Sequence, residues 1–68
     1  MTKYYIWVGY GICAASNIVD SSNNMVLFTS RVCGDYYRPI SQCHGPILAT
    51  SKSEAQLTYR VYRRLTHA

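Results

Sequence analysis

Apolar positions alternate strictly at the start of the chain. Tyr4, Ile6, Val8 and Tyr10 fall on one side and Tyr5 and Trp7 on the other. Aromatic and β-branched residues fit a pleated, half-buried surface, so this stretch reads as a strand. Being apolar on both faces, it belongs at the centre of a structure or carries an exposed aromatic patch. Gly9 and Gly11 mark a bulge or bend near its end. Ile12 to Val19 continues extended into Asp20-Ser21-Ser22-Asn23-Asn24, a turn signal because Asn and Asp tolerate tight backbone geometry. Met25 to Cys33 then alternates again, with Met25, Leu27, Thr29 and Arg31 against Val26, Phe28, Ser30 and Val32. The pattern predicts a hairpin of 12–20 with 25–33.

From Gly34 to Pro46 the chain reads as loop, broken at Gly34-Asp35, Arg38-Pro39 and Gly45-Pro46. Ile47-Leu48-Ala49-Thr50 can add a short strand. The period then changes to that of a helix. Ser51 and Glu54 stand at capping-box spacing, the Ser51 hydroxyl accepting from the Glu54 N–H and the carboxylate reaching back to Ser51. Ala55, Leu57, Thr58, Tyr59, Val61, Tyr62 and Leu65 share one broad arc, and Lys52, Gln56, Arg60, Arg63 and Arg64 take the other. The predicted architecture is α+β: a small antiparallel β-sheet of three strands with one C-terminal amphipathic helix, about 51–66, packed on one face. Residues 1–68 form a single domain with no internal repeat.

Composition narrows the classes. Sixty-eight residues that are 49% hydrophobic and 15% charged are too apolar for a disordered tail, yet too few for a thick core. No apolar run approaches the roughly 18 residues of a membrane span, so no membrane association is expected. Lys3 ahead of an apolar stretch and Cys13-Ala14-Ala15 superficially resemble a secretory signal and its cleavage site. The tyrosines, the glycines and the lack of a leucine run argue against one. Three cysteines, at 13, 33 and 43, leave one unpaired in any disulfide scheme, which favours reduced thiols and a cytoplasmic address. One bridge with a spare thiol is the alternative.

Candidate chemistry is sparse. Cys13, Cys33, Cys43 and His44 could supply four zinc ligands, but paired sites space their ligands two to four residues apart and these do not. A nucleophile needs a base and an orienting acid. His44 and His67 are the imidazoles, and Asp20, Asp35 and Glu54 the acids, of which Asp20 suits a turn and Glu54 a cap. Gly9-Tyr10-Gly11 lacks the third glycine, the helix and the lysine of a phosphate loop. No enzyme activity and no cofactor are expected.

Charge and aromatics carry more. Seven lysines and arginines against three acids give +4. Lys52, Arg60, Arg63 and Arg64 lie along the helix, and Arg38 follows Tyr36 and Tyr37. With Tyr5 and Trp7, these are the candidate partner-binding residues, because Tyr, Trp and Arg carry most interface energy and a domain this small cannot hide all its rings. A plain solvated helix face is the alternative reading of the arginines.

Ala49-Thr50-Ser51-Lys52-Ser53-Glu54-Ala55-Gln56, opening a helix behind a hairpin and a short strand, resembles the small phage-encoded inhibitors, anti-CRISPR proteins among them. That resemblance implies a non-enzymatic protein that blocks a host machine by occupying its surface. Many such inhibitors are acidic mimics of nucleic acid, whereas this chain is basic. The expected function is therefore an inhibitor or adaptor docking on a protein or ribonucleoprotein complex with an acidic surface. A basic DNA- or RNA-binding module is the second reading, but sheet-face RNA binders carry aromatics on two neighbouring strands, and here only the first is rich in them. A homodimer completing the thin core is a third.

Overall fold

A computed structural model describes residues 1–32 and 34–67, leaving out the side chain of His67. Among them, six strands and one long helix follow in the order β1 (Thr2–Gly9), β2 (Ile12–Ser16), β3 (Val19–Asp20), β4 (Met25–Phe28), β5 (Tyr36–Pro39), a 3-10 turn (Ile40–Gln42), β6 (His44–Ala49) and α1 (Lys52–His67). The class is α+β, as the sequence predicts. The strands form two antiparallel sheets of three, ordered β2-β1-β6 and β3-β4-β5.

β1 and β2 are joined by Tyr10 and Gly11, with Gly9 paired to Ile12. Both linking residues have positive φ, 51° and 75°. A two-residue loop of that kind matches the twist of the flanking strands, so Gly11 serves a tight hairpin turn rather than a bulge. β2 does not run on to pair with β4. It breaks at Asn17-Ile18 and crosses to the second sheet as β3, where Val19 faces Val26 and Asp20 faces Met25. Ser16 fixes this corner. Its hydroxyl donates to the Leu27 carbonyl and accepts from the Ile18 N–H at 3.1 Å, and Leu27 N–H donates to the Ile18 carbonyl at 2.9 Å. Counting β2 and β3 as one bent strand, the order β6-β1-β2/β3-β4-β5 is a meander whose last strand returns beside the first.

This corrects the expected hairpin. Residues 12–16 pair with β1, only 19–20 pair with β4, and the predicted strand from Met25 stops at Phe28. Ser30 and Gly34 then bond each other's backbone across a turn that leaves Val32 almost wholly exposed. Cys33, the expected end of that strand, lies outside the described residues. Tyr36–Pro39, expected as loop, is β5 and pairs with the whole of β4. Pro39 is compatible with it because it closes the strand.

The first sheet lies between α1 and the second sheet, which explains why β1 is apolar on both faces. Tyr4 and Ile6 point to the helix and pack with Ala15, Ala49, Ala55 and Tyr59. Trp7 points the other way and packs with Val26 and Phe28, flanked by Tyr5 and Tyr36. Ile6, Val26 and Phe28 are fully buried, each such side chain contributing roughly 1.5–3 kcal/mol. The expectation that Trp7 and Tyr5 form an exposed aromatic patch is therefore corrected: Trp7 is 9% exposed and Tyr5 half-buried, because the bent strand brings a second sheet over them.

Candidate functional site

Helix α1 begins where the sequence places it. Ser51 accepts from the Glu54 N–H at 3.2 Å, as expected of an N-cap. The Glu54 carboxylate reaches Thr50 instead of Ser51, taking its hydroxyl at 2.5 Å and its N–H at 3.4 Å. Gln56 ties the first turns to the sheet by donating to the Cys13 carbonyl at 3.0 Å.

Beyond this point the helix departs from the expected broad buried arc. Only Ala55 and Tyr59 of that arc are buried. Leu57, Val61, Tyr62 and Leu65 are 62, 48, 63 and 78% exposed. At about 100° per residue, Ala55 and Tyr59 form a narrow packed strip, and Leu57, Val61 and Leu65 form a ridge well away from it. The small sheet is wide enough to cover one helix flank and no more. The ridge was readable from its i, i+4, i+8 spacing, but an apolar stripe on a helix normally marks the buried side.

The predicted basic residues divide among four places. Lys52, in the first turn, is exposed. Arg60 and Arg64 are exposed and adjoin the ridge by helical spacing. Arg63 is exposed and lines a hollow with His44 of β6. Arg38 is not on the helix side at all. Its guanidinium lies 4.5 Å over the Trp7 ring and 4.9 Å over Tyr36, and it donates to the Tyr37 carbonyl at 2.9 Å. That cation–π stack is worth about 0.5–2 kcal/mol and makes Arg38 a lid on the inter-sheet core. Tyr36 is stacked on Phe28, 5.6 Å between ring centres, and Tyr37 is half exposed at a hollow beside Asp20, Asn23 and Met25.

A cleft of about 510 Å³ runs between α1 and the β6 segment, lined by Cys43, His44, Pro46, Ile47, Thr58, Tyr59 and Tyr62. A second hollow of about 280 Å³ adjoins it under the helix overhang, bounded by His44, Tyr59, Tyr62, Arg63 and Thr66. The His44 ring lies against Tyr59 with centres 4.8 Å apart. Gly45 lets β6 run tight against β1 here: a Cβ would stand 2.8 Å from the Tyr4 carbonyl oxygen, and φ is 127°. No carboxylate lines either hollow among the described residues.

No acid among the described residues lines either hollow, while Cys43 edges the first. Cys43 is half-buried against the inter-sheet core and donates to the Pro39 carbonyl at 3.4 Å; burial pushes its pKa up, with Arg38 opposing. Cys13 packs at the edge of the other core. Asp20 accepts from Ser22 and Asn23, which lowers its pKa. Among the described residues no three histidines, cysteines or acids gather as a metal site would require. No helix among them is long and apolar enough to cross a membrane. Compared with family models, curated proteins and solved structures, the chain matches none.

Proposed function

We propose that the chain is a non-enzymatic binding protein that docks through the outer side of α1 onto an acidic, partly apolar surface of a larger complex. The observation that carries this reading is the ridge of Leu57, Val61 and Leu65, exposed on a helix seated by Ala55 and Tyr59 and bordered by Arg60 and Arg64. Apolar area left in water forgoes about 25 cal/mol per Å², so a groove that covered the ridge would gain what the monomer does not. Helix-in-groove recognition uses such i, i+4, i+8 anchors. The flanking arginines favour carboxylates on the rim and disfavour a second copy laid ridge to ridge, which would bring like charges together. An inhibitor of the small phage-encoded type, acting in the host cytoplasm on a defence or nucleic-acid-processing complex, would use a surface of this kind. The sheet-face nucleic-acid reading loses Trp7, buried between the sheets, and much of Tyr5, half-buried beside it.

Photo-crosslinking in host cells tests the proposal. A benzophenone side chain at Leu57 or Leu65 should trap one acidic-surfaced protein, and a charge-reversing Arg60→Glu/Arg64→Glu pair should abolish the adduct. Equal trapping from a control position at Lys3, or no adduct from the ridge, would overturn it.

A further inference from the structure

The cleft under the helix overhang lies on a different flank of α1 from the docking ridge and has chemistry of its own. Tyr59 is 7% exposed, yet no hydrogen bond engages its hydroxyl among the described residues, and that oxygen is not sealed from the surface. A tyrosine this deeply packed normally finds a partner for its hydroxyl. The Tyr59 side chain walls both hollows and is held in place by the helix-facing core. The smaller hollow is lined also by His44, Tyr62 and Arg63, none of whose side chains has a hydrogen bond or ion pair within the described residues.

These groups specify a ligand class. Arg63 supplies a positive charge, and His44 and Tyr59 supply further hydrogen-bonding groups, with no acid in the lining to repel an anion. Tyr62, 63% exposed, offers a ring face, while Pro46 and Ile47 give an apolar wall. A flat heteroaromatic ring joined to a phosphate uses both halves. The volume of about 510 Å³ falls within the range of small-ligand sites. The geometry points to a nucleotide site: the base stacks on Tyr62, and the phosphate meets Arg63, His44 and the Tyr59 hydroxyl. A free mononucleotide and the end of a single strand share this chemistry.

The test is a backbone-amide NMR titration of the whole chain with AMP, adenosine, inorganic phosphate and a single-stranded oligo(dA). AMP should shift His44, Tyr62 and Arg63 saturably, with at least ten-fold higher affinity than adenosine or phosphate alone. Tyr62→Ala and Arg63→Gln, both at exposed positions, should each weaken AMP at least five-fold. Tyr59→Phe, which keeps the packing ring, should weaken it about three-fold or more with the fold unchanged by circular dichroism. Oligo(dA) binding tighter than AMP assigns the site to a strand end, and equal affinity assigns it to the free nucleotide. Phosphate binding as well as AMP, or no saturable shift at the cleft with either AMP or oligo(dA), would overturn the assignment. The ridge is untouched by these variants, so failure here leaves the docking proposal standing.

Discussion

A Cβ placed on Gly9 would lie 2.6 Å from Cη2 of Trp7 and 2.7 Å from its Cζ2. The indole folds back along its own strand and covers the glycine two residues on. Gly9 is therefore required by contact, in a strand where glycine is otherwise unfavourable. Gly9→Ala should destabilise the protein by about 1–3 kcal/mol, as overpacking does. In a Trp7→Leu background the same change should cost much less, because the two sites share the contact. Urea denaturation of both singles and the double variant checks this, and additive effects would contradict it.

Among the described residues, Ser16 is the one buried polar residue, 1% exposed. It donates to Leu27 and accepts from Ile18 at the point where the chain passes between sheets. Ser16→Ala leaves both backbone partners without it and should cost about 1–3 kcal/mol. Ser22→Ala, at an exposed position, should cost less. Thermal melts of the two variants compare them directly.

The two sides of α1 should respond oppositely to truncation. Tyr59→Ala removes a ring from the helix-facing core and should cost about 3 kcal/mol or more, a large share of the stability of so small a domain. Leu57→Ser and Leu65→Ser should fall within about 0.5 kcal/mol of the parent, since neither side chain is buried. Denaturant midpoints for the three variants decide whether the ridge belongs to the fold.

Asp20 holds the β3–β4 turn, accepting from the Ser22 hydroxyl at 2.7 Å and from the Asn23 amide at 2.9 Å. The Ser22 bond first and the Asn23 bond second lower its pKa below 3.8. A lowered folded-state pKa contributes stability at pH values above 3.8 that is lost as acid protonates the folded carboxylate. The melting temperature should drop more below pH 3.8 in the parent than in Asp20→Asn, which has no carboxylate to protonate. Parallel slopes would remove the turn from the acid response.

Much of the fold was legible because it is local. The start of α1 follows from Ser51 and Glu54, and the apolar residues on both faces of Tyr4–Tyr10 left a central strand as one of two readings, the other being an exposed aromatic patch. What the sequence hid is non-local. Nothing in Ile12–Asp20 announces the break at Asn17-Ile18, because its cause is a hydrogen bond from Ser16 to Leu27, eleven residues away. The apolar run Met25–Phe28 gives way to Thr29-Ser30-Arg31, and β4 ends at Phe28, opposite Tyr36, the first residue of β5. Once the second sheet covers Trp7, the first strand drops out of the candidate surface and the helix residues Lys52, Arg60 and Arg64 remain exposed. The cleft was invisible for the same reason: His44 and Tyr59 meet only after β6 and α1 fold back on each other.

β1 is a wall common to both cores, sending Tyr4 and Ile6 into one and Trp7 into the other. Neither half can melt while the other keeps its packing, since withdrawing this strand empties both at once. Calorimetry should accordingly record one all-or-none transition, its van't Hoff and measured enthalpies equal, with no partly folded species between the ends.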